Sequence, residues 1–261
     1  MFQPVIPGSG LAGWRFLERT YATQRVSFDR SPELVRDTDY FAAKIGTIKT
    51  ADALVSDRRL LRVALGAFGL QDDLNSRALI RKVLEDGTAR SDALANRLSD
   101  DRYRAFSRAF GFGEVGGART GDPGFASGIV DSFRARSFEV AVGDQNNGFR
   151  LALNARRDLA AIATSTQSED TKWFRIMGSP PLRQVMETAL GLPSSFGQLD
   201  IDRQLEVFQD RSNRQLGLKA LADLAEPTAM DRLVQRFLLR SDNSSGASSS
   251  PFSIALTLLR R

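Results

Sequence analysis

The chain has 261 residues, of which 36 are lysine or arginine and 31 are aspartate or glutamate, for a formal net charge of +5. It contains no cysteine and no histidine, which excludes disulfides, thiolate nucleophiles, Ser-His-Asp triads and metal sites built on thiolate or imidazole. Hydrophobic residues make up 42% and charged residues 26%, as in globular proteins that bury an ordinary core.

No stretch approaches the roughly 18 apolar residues of a membrane span. Residues 1–13 lack a basic region followed by an apolar one, so the sequence shows no secretory signal. We therefore expect a cytoplasmic protein without a membrane span, and export by a machine that reads another kind of signal stays open. The small positive excess favours acidic partners slightly and falls short of a nucleic-acid-binding footprint.

The first half predicts an arm followed by short helices. Residues 1–13 are rich in proline and glycine and predict an extended arm, and an apolar helix follows up to residue 30. Over residues 31–112 the spacing of apolar residues predicts short helices joined by tight turns. The expected helix starts are Ser31-Pro32-Glu33, Thr50, Asp57 and Ser91, and the expected helix ends are Gly69, Gly87 and Gly111.

Six glycines and Pro123 lie within residues 111–124, a density that sustains neither a helix nor a central strand. Residues 113–124 therefore predict a linker to a second helical region, residues 125–240. Alternation at Phe138, Val140 and Val142 would allow a short strand there, although its flanks are helical in pattern. Residues 241–250 predict a serine-rich tether, which is part of a tail at residues 241–261. We expect an all-α bundle of short helices with flexible terminal tails.

One pattern occurs three times: an apolar helix that ends in glycine followed by an apolar residue, at Gly69-Leu70, Gly111-Phe112 and Gly191-Leu192. The glycine can take a left-handed conformation and the next residue can fold back on the last turn. The spacing fits helical-pair repeats of about 40 residues. The alternative is that apolar helices commonly stop at glycine, and the sequence leaves both open.

The sequence motifs that could indicate a catalytic or ligand-binding site are weak. Gly8, Gly10 and Gly13, like Gly111, Gly113 and Gly116, match G-x-G-x-x-G without the strand-turn-helix context that a dinucleotide needs. The segment 144–148 faintly resembles a calcium loop, but a helix cap explains it better. Paired acids such as Asp100-Asp101 fit helix starts. We expect no enzymatic activity, no cofactor, no metal and no small-molecule substrate, while carboxylate-only chemistry stays open.

Two features predict macromolecular partners. A set of arginines could form a basic face for phosphates, although acids lie among them and a salt-bridged helix surface is the alternative. These arginines are Arg58, Arg59, Arg62, Arg97, Arg102, Arg104 and Arg108. The C-terminal segment is apolar, and in helical form it would dock into the groove of a partner or fold back on its own chain. Its candidate partner-binding residues are Phe252, Ile254, Leu256, Leu258 and Leu259.

The sequence resembles a known family over nearly its whole length, through many short motifs that are specific only in aggregate. They include Phe2-Gln3-Pro4, Asp39-Tyr40-Phe41, Ser56-Asp57-Arg58-Arg59-Leu60-Leu61, Ala67-Phe68-Gly69-Leu70, Ala109-Phe110-Gly111-Phe112-Gly113 and Glu187-Thr188-Ala189-Leu190-Gly191-Leu192-Pro193. The chain is similar to an alphaproteobacterial domain-of-unknown-function family of multihelical proteins. Its members lie in flagellar gene clusters, and some are labelled flagellar basal-body rod proteins.

The resemblance implies a flagellar association and brings no catalytic or binding residues with it. Rod proteins rely on terminal coiled helices, and only the last segment of this chain could take that part. We therefore expect a non-enzymatic protein that acts in flagellar assembly or structure through protein partners. Its expected place is the cytoplasm, with association to or export into the basal body. The alternative is a basic nucleic-acid-binding regulatory protein.

Overall fold

The computed structural model describes the backbone of residues 2–247 and the side chains of residues 2–241. These residues form thirteen α-helices and four short 3-10 helices and contain no strand, which confirms the predicted all-α class. In chain order the helices are α1 Gly10–Asp29, α2 Pro32–Lys44, α3 Ala51–Ser56, α4 Arg58–Phe68, α5 Arg77–Asp86, α6 Leu94–Arg97, α7 Asp101–Phe110, α8 Phe125–Gly143, α9 Asn147–Ala163, α10 Glu169–Met177, α11 Pro180–Leu190, α12 Ile201–Leu216 and α13 Pro227–Ala247. The 3-10 helices are Ile45–Thr47, Gln71–Asp73, Ser194–Gln198 and Leu221–Ala225.

Three of the four predicted helix starts are confirmed. Helix α2 begins at Pro32, and Thr50 caps α3 by accepting a hydrogen bond from the Ala53 backbone N–H at 3.2 Å. Asp57 caps α4 by accepting from two backbone N–H groups, which satisfies donors that a helix start leaves free. The prediction of a cap at Ser91 is wrong. Helix α6 begins at Leu94, whose backbone N–H donates instead to the carboxylate of Asp86 at 3.2 Å.

The three predicted closing glycines take the left-handed conformation, with φ of +73° at Gly69, +72° at Gly111 and +62° at Gly191. After two of them the next backbone N–H reaches back five residues, from Leu70 to the Leu65 carbonyl and from Leu192 to the Glu187 carbonyl, each at 2.9 Å. These bonds satisfy carbonyls that the helix end leaves free. The local closure is therefore confirmed, and the repeat of about 40 residues stays a prediction.

The chain divides into two compact units. Unit 1 is Met1–Val5 with Thr20–Val142, and unit 2 is Ile6–Arg19 with Gly143–Arg261. The boundary therefore falls within α1 and at the end of α8, whereas the glycine-rich segment predicted as a linker lies inside unit 1.

The core of unit 1 forms where α4 packs against α2, α3 and α7. Phe106 of α7 is fully buried, and its ring centroid lies 5.3 Å from that of Phe68 and 4.9 Å from that of Phe110. The short strand considered at residues 138–142 does not form. Phe138 and Val142 are both buried in α8, because their spacing of four residues places them on one helix face.

The core of unit 2 forms among α9, α11 and α13, which pack on one another, with α10 and α12 against them. Phe208 of α12 is fully buried between two aromatic rings. It stacks on Trp173 of α10, with ring centroids 5.6 Å apart, and meets Phe196 edge-on at 4.9 Å. This aromatic cluster joins α10, α12 and the 3-10 helix that precedes α12.

Two of the predicted tail boundaries differ from those in the structure. The arm is shorter than predicted because α1 already begins at Gly10. Helix α13 continues through Ala247, so the first part of the predicted tether is helical. Residues 248–261 lie outside the described residues. Within the described part of the chain, no helix combines the length and apolar character needed to cross a bilayer.

Candidate interaction site

The apolar residues predicted to bind a partner do not help to locate a site. Phe252, Ile254, Leu256, Leu258 and Leu259 all lie outside the described residues. The candidate sites of residues 2–241 are their exposed side chains, clefts and charged clusters.

The glycine-rich segment between α7 and α8 is a packed loop, which corrects its interpretation as a linker. A Cβ atom on Gly87, at the end of α5, would lie 2.3 Å from the carbonyl oxygen of Gly113. A Cβ on Gly113 would lie 2.4 Å from the carbonyl oxygen of Glu85. Real Cβ atoms do not approach this closely, so the glycines allow the loop backbone to pack directly on the end of α5.

Hydrogen bonds fix this loop at several points. The Arg119 backbone N–H donates to the Phe110 carbonyl at 2.9 Å, which joins the two ends of the loop. The Thr88 hydroxyl donates to the Glu114 carboxylate at 2.7 Å, and the Thr120 hydroxyl donates to the Ile48 carbonyl at 2.5 Å. The loop is therefore bound to two other parts of unit 1.

Val115 stands at the tip of the loop and is 98% exposed. The Gly117 backbone N–H donates to the Glu114 carbonyl at 2.9 Å, which closes a turn around Val115. Gly116 and Gly117 follow it, and a Cβ atom on either would meet nothing within 4 Å. An uncovered apolar side chain on an ordered loop is available for contact, and little entropy is lost when a partner covers it.

A charged cluster of unit 1 surrounds Tyr40. Its hydroxyl donates to the Asp57 carboxylate at 2.6 Å and accepts from the Lys44 ammonium at 2.9 Å. Burial acts to raise the pKa of Asp57, but hydrogen bonds from Tyr40 and two backbone N–H groups lower it overall. The Tyr40 hydrogen bond raises the pKa of Lys44. Both shifts hold the groups in their charged forms at neutral pH, so neither acts as a proton donor or acceptor there.

A second tyrosine-aspartate pair lies between α7 and the Gln71–Asp73 helix. The Tyr103 hydroxyl donates to the Asp73 carboxylate at 2.6 Å. Burial and then this hydrogen bond raise the pKa of Tyr103 from 10.0 to about 12.

This pair predicts a loss of stability in alkali. Between pH 10 and about 12 the unfolded chain releases the Tyr103 proton and the folded chain keeps it, so stability falls as pH rises through that window. Titration followed by tyrosinate absorbance should show one of the three tyrosines ionising well after an exposed one. In Tyr103→Phe that late step should be absent. Its persistence in the variant would contradict the assignment.

A cleft of about 620 Å³ lies between α2, the end of the loop and α8. Asp39, Asp122, Asp131 and Arg134 line it, and Arg134 donates to the Thr38 hydroxyl at 3.0 Å. Small residues supply much of the remaining wall. The cleft brings together no matched nucleophile and base. No group of three or more carboxylates among the described residues could hold a metal ion.

The arginines predicted as a phosphate-binding face are largely engaged within the chain. Arg59 and Arg62 both reach the buried carboxylate of Asp37. Arg102 pairs with Asp100, and Arg104 pairs with Asp101 at 2.7 Å. Arg102 also donates to the Gly69 carbonyl at the end of α4. The structure therefore favours the alternative weighed for these residues, a salt-bridged surface on which Arg102 also satisfies a carbonyl at a helix end.

Neither G-x-G-x-x-G match lies between a strand and a helix in the described residues. The first forms the turn that enters α1, with φ of +102° at Gly8 and +64° at Gly10. The second lies in the packed loop. The calcium-like segment is a helix cap, as predicted, because the Asn146 side chain accepts from the Phe149 backbone N–H at 3.1 Å.

Comparison with known proteins places these features in a family. A family model described as a protein of unknown function (DUF1217) matches residues 67–230, more than half of the chain. The chain belongs to the DUF1217 family. The DUF1217 match spans the helices from the end of α4 into α13, so it contains the glycine-rich loop and Val115.

A crystal structure of a structural-genomics target protein from Agrobacterium tumefaciens is similar to this DUF1217 chain. The two are 27% identical, and the alignment covers 92% of this chain and 98% of that one with a TM-score of 0.72. No curated protein matches the sequence. The comparisons support the all-α fold and the family membership of this chain. They assign no activity to any of its residues.

Proposed function

We propose that this DUF1217 protein is a non-enzymatic, flagellum-associated component that acts in assembly or structure through protein-protein contacts. The proposed flagellar association is based on the resemblance of the sequence to proteins from flagellar gene clusters. The proposed protein-protein contact is based on one observation. The Val115 side chain is 98% exposed at the tip of a loop that is fixed by hydrogen bonds and by glycine packing.

The energetics of Val115 suit a docking residue. Complete burial of a valine side chain against a partner contributes about 1.5 kcal/mol. The loop is already ordered, so binding does not have to order it first. The other large exposed hydrophobic side chains of the described residues are between 38% and 56% exposed, so Val115 offers a partner the most uncovered surface for its size.

The apolar C-terminal segment is the second proposed docking element. Phe252, Ile254, Leu256, Leu258 and Leu259 would present an apolar face in helical form. The proposed partners are flagellar proteins, met in the cytoplasm or in the basal body. The nucleic-acid-binding alternative has less support, because most arginines of its presumed face already pair with acids or polar groups of the chain.

We expect deletion of the gene to reduce swimming in soft agar and the wild-type gene to restore it. Val115→Asp should restore swimming poorly, because a carboxylate cannot enter an apolar partner pocket without a desolvation cost. A chain that stops at residue 247 should also restore it poorly if the C-terminal segment docks. The measurement is swarm diameter, together with the fraction of tagged protein that copurifies with basal bodies.

The matched control is Val26→Asp, a change of the same kind at a valine that is 51% exposed on α1. Purified Val115→Asp should unfold at the wild-type temperature, because its side chain contacts little of its own chain. Full motility after gene deletion would contradict the flagellar assignment. Full restoration by Val115→Asp would contradict the role of the loop.

A further inference from the structure

One peptide bond of the chain joins an aspartate to a proline. The chain has nine prolines, and only Pro123 follows an aspartate, Asp122. The proline nitrogen belongs to a tertiary amide and carries no N–H, so it leaves as a basic secondary amine. An aspartate carboxylate can attack its own backbone carbonyl carbon by closing a five-membered ring. The Asp122–Pro123 bond is therefore of the kind that a chain can break by itself.

The backbone around this bond favours the attack. Asp122 and Pro123 lie in an exposed turn before α8, and the Asp122 carbonyl accepts a hydrogen bond from the Phe125 backbone N–H at 3.1 Å. A donor on this oxygen stabilises the negative charge that develops there during attack. Among the described residues, the Asp122 carboxylate has neither a hydrogen-bond donor nor an ion-pair partner. The nucleophile is therefore free, and the carbonyl it would attack is polarised.

A lysine is held beside the same turn. The Thr120 hydroxyl donates to the Ile48 carbonyl at 2.5 Å, which fixes the chain next to Lys49 against the chain next to Gly121. The Lys49 ammonium lies beside Gly121, 2.8 Å from the position that a Cβ atom on this glycine would take. Lys49 is exposed and pairs with no carboxylate in the described part of the chain. A free proton donor therefore lies next to the residue that carries the carboxylate.

We propose that the folded chain cleaves itself between Asp122 and Pro123. A carboxylate oxygen of Asp122 attacks the carbonyl carbon of the same residue, and the bond to the Pro123 nitrogen breaks while Lys49 gives that nitrogen a proton. A cyclic anhydride is left at Asp122. Water opens the anhydride to two carboxylates, and the two protons released go to the Lys49 amine and to the new proline amine.

The reaction occurs once in each chain, so it is compatible with a non-enzymatic protein, and it does not depend on the flagellar assignment. The two fragments should remain associated, because α8 packs on helices from the other side of the bond. Arg136 of α8 donates to the Ala67 carbonyl at 2.9 Å, and Phe138 meets Phe28 edge-on with ring centroids 5.4 Å apart. Cleavage should therefore become visible only after denaturation.

The test follows purified full-length protein over time at neutral pH, by denaturing gel and mass spectrometry. Fragments 1–122 and 123–261 should accumulate at a rate that does not depend on protein concentration. Asp122→Ala should abolish the fragments, because the nucleophile is removed. Lys49→Gln should slow their formation about a hundredfold, the usual effect of losing a general acid. Far-ultraviolet circular dichroism should show that both variants keep the wild-type fold.

Two controls separate the folded site from the ordinary lability of such a bond. The Glu226–Pro227 bond is also exposed, and its Glu226 carbonyl accepts from the Ala229 backbone N–H at 3.0 Å. It should stay intact, because glutamate would have to close a larger ring. The wild-type chain unfolded in urea should cleave about tenfold more slowly, since Lys49 then leaves the turn.

Three results would each overturn the proposal. The first is that the folded protein yields no fragments. The second is that the chain in urea is cleaved as fast as the folded one, which would leave only the intrinsic lability of an aspartate-proline bond. The third is that Lys49→Gln keeps both the wild-type fold and the wild-type rate.

Discussion

Gly87→Ala is expected to lower the free energy of unfolding by about 2–5 kcal/mol. Gly87 has φ +66° and ψ −153°, a region that is essentially confined to glycine. A Cβ atom there would also lie 2.3 Å from the Gly113 carbonyl oxygen. Strain and steric overlap therefore add, and the loop must leave the end of α5 to relieve them. Urea unfolding followed by far-ultraviolet circular dichroism measures the loss.

Two glycines of the loop that packs on Gly87, Gly116 and Gly117, provide matched controls. Gly116→Ala should change stability by no more than about 0.5 kcal/mol, since a Cβ there meets no atom within 4 Å. Gly117→Ala meets equally open space but has φ +72°, so it isolates the backbone cost, about 1–2 kcal/mol. If Gly87→Ala is no less stable than Gly116→Ala, the loop is not packed on α5, and the case for Val115 as a fixed anchor fails with it.

Phe208→Ala is expected to destabilise unit 2 by about 3–5 kcal/mol, the usual range for a buried phenylalanine. The ring is fully buried and lies against both Trp173 and Phe196. Its removal leaves a cavity where α10, α12 and the Ser194–Gln198 helix meet. The measurements are urea unfolding and the fluorescence of Trp173, whose emission should shift to longer wavelength as water reaches the indole.

Phe174→Ala is the control for this change, because Phe174 is the next residue on α10 after Trp173 and is 38% exposed. It should cost clearly less stability and leave the Trp173 emission nearly unchanged. Trp14 is the other tryptophan of the chain, so both variants are best compared in a Trp14→Phe background. Equal losses for the two phenylalanines would contradict the aromatic cluster as the centre of unit 2.

Sequence reasoning succeeds where a few neighbouring residues decide the structure. Asp57 caps its helix as predicted, and Asn146 supplies the cap predicted within residues 144–148, because a short polar side chain can reach the backbone N–H groups of the next turn. It fails at Ser91, where the carboxylate of Asp86 on another helix supplies the cap. It also overlooks Val115, although a single valine followed by two glycines in a polar loop is a detectable signal.

The sequence by itself determines that this chain is built of helices, where several of them begin and end, and that chemistry based on thiols and imidazoles is excluded. These properties depend on composition, on apolar spacing of three and four residues, and on local capping. Only the tertiary structure decides whether the glycines of residues 111–124 form a flexible linker or a closely packed loop. It alone also decides where the N-terminal arm lies. Glycine serves equally for a flexible chain and for close backbone packing, and the difference lies in Glu85 and Gly87, which approach the loop from another helix.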